Sequence, residues 1–325
     1  MRCNNLTNIL PTSLMLQVIA MAAASPLKIF LLAGQSNMVG WGSLEHLNIL
    51  VNDTSSVEKN EYREALWNGS GYRISEKVFV KFNDRRGGLT VGPDSGFAAR
   101  DHLGPELMIG WTLDEAAKKN EKMLLIKTAW GGKSLAVDFR PPSSGEGDYG
   151  EKPIKYGWFY RQMIVDILDA LDHLPTYVPG YNIKDGYELS GFFWFQGWND
   201  LINPSMVNEY GNNLRNFIRD VRRDLDAPEL PFIIGELGMH GMHPTGPGSL
   251  QVILMRSYEQ TVTLLDEFRN NTLFVRTAPY AVMNGKEYTG MYHYYGRADT
   301  YFHIGQALGK GMLQLIQKEQ EALIS

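Results

Sequence analysis

One serine and one histidine of this sequence lie where nucleophilic catalysis would need them. Ser36 belongs to Gly34-Gln35-Ser36-Asn37-Met38, which follows an apolar run, so that a tight turn would present its hydroxyl. A serine hydroxyl attacks readily only when a base, normally histidine, removes its proton. The chain has seven histidines, and His293 lies between the last apolar run and a terminal helical segment, in Tyr292-His293-Tyr294-Tyr295-Gly296. Ser36 and His293 together predict nucleophilic catalysis by a serine hydroxyl.

Ser36 also has an interpretation that involves no catalysis. Serine and asparagine are preferred N-cap residues, so Ser36 could simply begin a helix. The Gly-x-Ser-x-Gly elbow of α/β-hydrolases is not matched, because Met38 stands where the second glycine belongs. The motif alone therefore leaves both the cap and the nucleophile open.

Two further motifs could stabilise the negative charge that such an attack creates. Gly131 and Gly132 follow an apolar run, and adjacent glycines let backbone N–H groups turn towards a ligand. Asn199 follows another apolar run, in Gln196-Gly197-Trp198-Asn199-Asp200, and its amide could donate to a developing oxyanion. Both motifs are also ordinary turn signals.

His240 and His243 have the spacing H-x-x-H in a glycine-rich loop, which raises the question of a metal site. Two histidines without a third ligand at helical spacing are weak support for one. The sequence therefore predicts neither a metal nor another cofactor.

Short apolar runs alternate with longer segments of helical period, and these elements would have to position the motifs. The alternation is typical of the α/β class, in which helices cover both faces of a parallel sheet. In open sheets of this class ligands bind beyond the carboxyl ends of the strands, where the serine, glycine and asparagine motifs fall. Strands are predicted over 28–33, 123–129, 191–196, 232–236 and 273–277, with a weaker candidate over 77–82. Helices are predicted over 105–119, 158–174, 206–225, 251–269 and 298–321.

Composition indicates an ordinary globular protein with one domain. The 325 residues include 44% hydrophobic and 21% charged side chains, and α/β chains of about 300 residues often share one core. The 31 basic and 36 acidic residues give a net charge of −5, which provides no general attraction to nucleic acid or anionic lipid. No nucleic-acid partner is therefore predicted.

The first residues have the pattern of a secretory signal peptide. Arg2 precedes an apolar run that ends in Ala22-Ala23-Ala24-Ser25, so cleavage is predicted near Ala24. The run is short for a membrane span, and a partly apolar N-terminal helix is the alternative. We expect a signal peptide over 1–24, one domain over 25–325, a secreted or periplasmic protein, and no membrane association after cleavage.

Taken in order, the serine motif, Gly131-Gly132, Gly197-Trp198-Asn199-Asp200 and His293 resemble the sequence blocks of SGNH hydrolases. More narrowly, the chain is similar over residues 28–312 to the sialate O-acetylesterase-like domain, which includes the family 6 carbohydrate esterases. The resemblance implies a three-layer α/β/α sandwich with a five-stranded, flavodoxin-like parallel sheet. It also implies hydrolysis of acetyl esters on carbohydrates.

The same resemblance implies a role for each matched residue. Ser36 would be the nucleophile and His293 the base. The oxyanion hole would consist of the Ser36 backbone N–H, the Asn199 amide and a glycine of the pair Gly131 and Gly132.

The acid that would orient the histidine is not fixed by the resemblance. Many relatives carry an aspartate three positions before the histidine, whereas Gly290 stands there in this chain. A Ser-His dyad oriented by a backbone carbonyl is one solution. The candidate acids are Glu287, which we prefer, and Asp299, Asp200 and Glu236.

The implied partner is an acetylated carbohydrate, of the sialate or acetylxylan type. Aromatic side chains near strand ends could stack on sugar rings, although large aromatic residues are more often buried. Two other functions stay open: hydrolysis of a non-carbohydrate ester or thioester, and carbohydrate binding without catalysis on the same scaffold. Predicted substrate contacts are Gln35 and Gln196, which could instead support their neighbours, and Trp130 and Trp198, with Trp41 and Trp158 as further aromatic candidates.

Overall fold

The structure, a computed structural model, describes residues 25–53, 55, 60–91, 101–282 and 286–324. The predicted signal peptide over residues 1–24 lies outside the described residues. Within the described ranges, none of the helices combines the length and the apolar composition that crossing a bilayer requires.

A seven-stranded sheet forms the centre of the described part of the chain, with the order β4-β3-β6-β1-β7-β8-β9, while β2 and β5 form a separate short pair. The sequence of β1 is Leu-Lys-Ile-Phe-Leu-Leu-Ala-Gly, and such a nearly continuous apolar run is typical of a strand covered on both faces. The strands are β1 (Leu27–Gly34), β2 (Gly42–Ser43), β3 (Val78–Phe82), β4 (Arg85–Gly88), β5 (His102–Leu103), β6 (Met123–Ala129), β7 (Tyr187–Phe195), β8 (Phe232–Gly235) and β9 (Thr272–Val275).

The five principal predicted strands are parallel and lie in the spatial order β6-β1-β7-β8-β9. Numbered along the chain, this is the 2-1-3-4-5 order of flavodoxin-like sheets, so the predicted fold class is confirmed. The sheet is wider than the predicted five strands. The weak candidate is the buried parallel strand β3, and β4 adds an antiparallel edge. The Arg-Arg-Gly-Gly sequence of β4 has no apolar strand pattern that could have indicated it.

Helices cover both faces of this sheet. The five predicted helices are α4, α5, α8, α9 and α10, although α9 ends at Val262 in a series of turns, before its predicted end at Arg269. The helices are α1 (Ser36–Val39), α2 (Leu44–Asn52), α3 (Glu61–Leu66), α4 (Glu106–Ala116), α5 (Trp158–Asp172), α6 (Leu174–Tyr177), α7 (Trp198–Leu201), α8 (Pro204–Asp224), α9 (Ser249–Val262) and α10 (Ala298–Ile324).

Two adjacent residues of β7 show the three layers directly. Gly191 leaves room for α10, because a Cβ there would collide with Met312 Cε. The next residue, Phe192, packs its ring against Phe217 of α8, with centroids 6.0 Å apart. Successive strand residues point to opposite faces, so α10 and α8 cover opposite faces of the sheet. Helix α4 packs against α10, and α9 packs against α8, which completes the α/β/α sandwich.

Candidate active site

Ser36 lies at the carboxyl end of β1 and is the first residue of the short helix α1. The chain passes so close to β7 here that only glycine fits at Gly34, where φ is +152° and a Cβ would collide with Phe195 O. Gln35 occupies the N-cap position, and no side chain caps the helix. The Ser36 hydroxyl is therefore not a helix cap, and it has no hydrogen-bond partner among the described residues.

A buried ion pair holds α1 against the sheet. Lys127 of β6 and Glu106 of α4 lie 2.9 Å apart, and both side chains are fully buried. Lys127 Nζ also donates to the carbonyl oxygen of Val39, the last residue of α1, at 2.8 Å. The ammonium group thus fixes the far end of the helical turn that carries Ser36.

Gly131 lies beside Ser36. The Trp130 N–H donates to Gly34 O at 3.2 Å, which continues the pairing of β6 with β1 beyond the strand end. A Cβ on Gly131 would lie 3.9 Å from Ser36 Cβ, whereas one on Gly132 would meet nothing within 4 Å. Among the described residues, the backbone N–H groups of Ser36 and Gly131 have no acceptor. Neither N–H group is thus used by the backbone hydrogen bonds of the described residues.

Gln35 fixes the orientation of the Asn199 amide. Gln35 Oε1 accepts from the backbone N–H groups of Gly197 at 3.0 Å and Asn199 at 3.3 Å, so this atom must be the oxygen. Gln35 Nε2 therefore donates, and its partner at 3.0 Å must be Asn199 Oδ1. Asn199 Nδ2 is left without an acceptor in the described part of the chain, which is the free donor that an oxyanion hole requires.

Gln196 and Asp200 join the strand end that carries Asn199 to the loop after β6. Gln196 Nε2 donates to Lys133 O at 3.0 Å and to Asp200 Oδ2 at 2.6 Å. The buried Asp200 carboxylate accepts from the backbone N–H groups of residues 135 and 136, both at 2.8 Å. Burial raises the pKa of Asp200 to about 6, although these hydrogen bonds oppose the shift. One buried polar network thus holds the loop after β6 against the strand end that carries Asn199.

His293 packs against Trp41 in the loop before α10. The two rings are stacked with centroids 4.5 Å apart, and His293 is only 8% exposed. Burial lowers the pKa of His293 to about 4, and the nearby His102 adds to this shift by charge repulsion. The ring is therefore neutral near pH 7, which is the state that a general base needs.

Asn37 joins the serine turn to the histidine loop. Its Nδ2 donates to Tyr292 O at 3.0 Å, and its Oδ1 accepts from the hydroxyl of Tyr301 on α10 at 2.6 Å. Ser36 and His293 are thereby held at the same edge of the sheet. No hydrogen bond joins the Ser36 hydroxyl to the His293 ring in the described structure, and such bonds often shorten only in the substrate complex.

The backbone after His293 is strained. Tyr294 and Tyr295 have φ values of +51° and +55°, a left-handed conformation that costs free energy in residues other than glycine. Hydrogen bonds from Tyr295 N to Gly290 O at 3.2 Å and from Gly238 N to the Tyr294 hydroxyl at 3.1 Å hold it in place. Such strain persists only where the surroundings impose it, and it is common at functional sites.

No carboxylate contacts the His293 ring in the described ranges. Thr289 Oγ1 lies 3.4 Å from His293 Nδ1. Glu287, the preferred acid from the sequence, is exposed and makes no hydrogen bond or ion pair with His293, because the loop turns it outward. The geometry therefore favours a Ser-His dyad, in which the Thr289 hydroxyl and not a backbone carbonyl lies beside the ring. The other candidate acids bind elsewhere: Asp299 to Arg297, Asp200 to residues 135 and 136, and Glu236 to the backbone of Thr277 and Ala278.

The predicted substrate contacts divide into buried and accessible side chains. Gln35 and Gln196 are buried and bonded to each other at 3.1 Å, which favours a supporting role. Trp130 packs against Phe159, with ring centroids 5.2 Å apart. Trp198 is half-buried, its ring centroid lies 5.8 Å from that of Tyr292, and it stays a candidate contact.

The histidines with H-x-x-H spacing do not belong to a cluster of ligands. Within the described ranges, no group of three or more His, Cys, Asp or Glu side chains could hold a metal ion. The His240 ring instead lies near Trp198, with centroids 6.4 Å apart.

Two residues that shape the site received no role from the sequence. Asn37 stood inside the serine motif, and a polar side chain three positions after a buried strand was a signal for a buried hydrogen bond. Thr289 gave no signal, because a threonine in a polar loop is common.

Comparisons with known proteins agree with this architecture. The family described as "Carbohydrate esterase, sialic acid-specific acetylesterase" matches residues 26–314. A probable carbohydrate esterase of Arabidopsis thaliana is 26% identical over 212 residues, which is 64% of this chain and 68% of that protein.

Two solved structures share the fold. The X-ray structure of a protein from Arabidopsis thaliana has a TM-score of 0.56 at 18% identity and covers 89% of this chain and 98% of its own. The crystal structure of NanS also has a TM-score of 0.56, at 12% identity, and covers 90% of this chain and 99% of its own. The resemblance to the sialate O-acetylesterase-like domain is confirmed. Since the family match extends over most of the chain, this protein belongs to the sialic acid-specific acetylesterase family of carbohydrate esterases, which are carboxylic ester hydrolases.

Proposed function

We propose that this protein is a serine esterase that removes O-acetyl groups from acetylated carbohydrates through an acyl-enzyme on Ser36. The hydrogen bond between Gln35 and Asn199 carries this proposal, because it leaves Asn199 Nδ2 free beside the turn that presents Ser36. The unpaired N–H groups of Ser36 and Gly131 supply two more donors for the same charge. Family membership indicates the bond to be cleaved, an acetyl ester on a carbohydrate.

The reaction begins with attack of Ser36 Oγ on the acetyl carbonyl carbon. His293 Nε2 takes the hydroxyl proton as the new C–O bond forms. Charge then develops on the carbonyl oxygen, where removing one donor costs about 3 kcal/mol in comparable acyl-transfer sites. Protonated His293 gives its proton to the departing sugar hydroxyl, and the acetyl group stays on Ser36. Water that loses a proton to His293 then releases acetate.

Thr289 takes the orienting position in this scheme. Nε2 of His293 accepts the serine proton only when the ring carries its own proton on Nδ1, and Thr289 Oγ1 is the acceptor on that side, 3.4 Å away. Thr289 Oγ1 also accepts from the Gly290 N–H at 2.6 Å, which limits its rotation. A neutral hydroxyl orients the ring without raising its pKa as a carboxylate would, in agreement with the pKa of about 4.

We also propose that the enzyme acts outside the cytoplasm, in the periplasm or the exterior. The support is the leader pattern of residues 1–24. N-terminal sequencing of the protein from its host should begin near Ser25, and a chain that retains Met1 would contradict the proposal.

Labelling with an active-site phosphonate tests the nucleophile. The wild-type chain and the Ser205→Ala variant, which alters an exposed serine at the start of α8, should be labelled and should release acetate. The Ser36→Ala variant should do neither. Labelling that persists in Ser36→Ala would overturn the assignment of the nucleophile.

A substrate panel tests the class of ester. Acetate release from acetylated xylan and O-acetyl sialic acid should exceed hydrolysis of a long-chain ester or an acetyl thioester. A preference for either of the latter would favour the non-carbohydrate alternative. Glycan binding without any acetate release would favour a binding protein.

A further inference from the structure

A groove leads away from the oxyanion donor Asn199. It has a volume of about 430 Å³ and lies between the loop after β6 and the start of α5. This size is within the range of about 300–1,000 Å³ that is typical of small-molecule sites. Asn199 also lines it, so the groove reaches the proposed catalytic centre at this residue. Its lining includes Lys133, Asp138, Glu151, Lys155, Trp158 and Phe159.

Trp158 gives the groove an open aromatic wall. It is the first residue of α5 and is 50% exposed, more than any of the other six tryptophans, which are buried or half-buried. The neighbouring Phe159 is already covered, because its ring packs against Trp130 and Lys133 Nζ lies 4.2 Å from its centroid. Trp158 therefore offers the aromatic face that is free to stack on the apolar face of a sugar ring.

The charged groups of the groove neutralise one another. Lys133 pairs with Asp138 at 3.5 Å, and Lys155 pairs with Glu151 at 2.6 Å. The lining thus contains two cations and two anions, and each cation has a carboxylate partner. A carboxylate on a substrate would have to compete with these acids, whereas the hydroxyls of a neutral sugar could bond to both kinds of group.

We propose that this groove is the subsite for the carbohydrate part of the substrate and that it takes a neutral sugar ring stacked on Trp158. The inference rests on the proposed esterase function and specifies its substrate class. It places the acetyl group at Ser36, beside Asn199, and the sugar between α5 and the loop after β6. An anionic sugar such as sialate would be the poorer substrate at this subsite.

Steady-state kinetics of Trp158→Ala test the subsite. With acetylated xylo-oligosaccharides, KM should rise about tenfold while kcat stays nearly constant, because a stacking contact stabilises the bound substrate and the transition state alike. With ethyl acetate, whose leaving group has no ring to stack on an indole, both constants should stay at the wild-type values. Trp158→Tyr keeps a ring and should restore most of the binding.

Tyr187→Ala is the matched control, since it removes an exposed aromatic side chain at the opposite end of β7. It should leave KM for both substrates unchanged. An unchanged KM of Trp158→Ala for the oligosaccharide would overturn the subsite, as would an equal rise of KM with ethyl acetate. A higher kcat/KM for O-acetyl sialic acid than for the neutral oligosaccharides would overturn the predicted charge preference.

The two proposals fail in different ways. If the wild-type chain releases acetate from none of the esters, or if Ser36→Ala is fully active, the proposed esterase mechanism is wrong. Acetate release that depends on Ser36 but is indifferent to Trp158 would leave the mechanism in place and remove only the subsite.

Discussion

The side-chain amide of Asn37 donates to the carbonyl oxygen of Tyr292 at 3.0 Å, across 255 positions of the sequence. One partner follows Ser36 and the other precedes His293, so this hydrogen bond joins the two loops that carry the proposed nucleophile and base. Tyr301 completes the connection by donating to Asn37 Oδ1 at 2.6 Å. The relative position of the two loops is therefore set by a buried amide.

Replacement of Asn37 should affect both stability and turnover. Asn37→Ala removes two hydrogen bonds and leaves the Tyr301 hydroxyl without its acceptor, which should lower the free energy of unfolding by about 2 kcal/mol. The kcat for p-nitrophenyl acetate should fall about tenfold, because small displacements of reacting groups are costly. Denaturant titration and steady-state kinetics measure the two effects.

Tyr301→Phe provides the comparison, because it removes one of these hydrogen bonds and leaves the one to Tyr292. It should retain most of the kcat. Equal losses of kcat in Tyr301→Phe and Asn37→Ala would show that the bond to Tyr292 does not position the base.

Asn199→Ala should lower kcat by about 100-fold or more and change KM little, since the amide donates mainly to charge that develops in the transition state. Gln35→Ala should reproduce much of this loss, because the Asn199 amide loses the partner that fixes its orientation. The measurement is kcat and KM for p-nitrophenyl acetate. A rise in KM at constant kcat in Asn199→Ala would instead assign this residue to substrate binding.

The activity should persist in acid. A pKa of about 4 means that His293 becomes protonated, and unable to accept the serine proton, only as the pH falls towards 4. The acid limb of kcat/KM should therefore lie near pH 4 instead of near 6.5, the pKa of an unperturbed histidine. His102→Ala removes a repelling group and should move this limb upwards.

The pH profile of kcat/KM for p-nitrophenyl acetate checks both statements. Asp200, with a pKa of about 6, can add an inflection, and Asp200→Asn identifies it. An acid limb near 6.5 that is unaffected by Asp200→Asn would contradict the buried, neutral state of His293.

Substitutions of Thr289 and of Glu287 should have opposite effects on activity, because only one of the two residues orients His293. Thr289→Val removes the hydroxyl beside Nδ1 and should lower kcat about tenfold with little change in KM, whereas Thr289→Ser should keep the activity near that of the wild type. Glu287→Gln should have almost no effect, because this carboxylate is exposed and away from the ring. The kcat of the three variants decides between them. Loss of activity in Glu287→Gln with full activity in Thr289→Val would restore a Ser-His-Glu triad.

The sequence predicted the elements that have a local signal. The apolar run of β1 and the polar residues after it indicated both the strand and the position of Ser36 at its carboxyl end. The same reasoning located Asn199 after β7, since the rule that ligands bind at carboxyl strand ends needs no knowledge of pairing. The glycine-rich strand β4 lacked this signal and was missed.

The connections between loops could not be predicted, because they depend on partners far away in the chain. Gln35 and Asn199 are 164 positions apart, and nothing near either residue indicates that one orients the other. Thr289 was missed for a different reason, because Thr289 and Glu287 both lie within six positions of His293 and only the path of the loop decides which side chain faces the ring. In the structure Thr289 lies beside the ring, whereas Glu287 is exposed. Local pattern therefore predicts which residue types are present at the site, while the fold decides their roles.

Acetylation of Ser36 during turnover is the most direct test of the mechanism. The chain is mixed with excess p-nitrophenyl acetate, quenched in acid within the first turnovers, digested and analysed by mass spectrometry. The peptide that contains Ser36 should carry one acetyl group, and neither Ser36→Ala nor unreacted protein should show it. Full esterase activity in Ser36→Ala, or an acetyl group that forms at catalytic rate on another residue, would contradict the proposed acyl-enzyme.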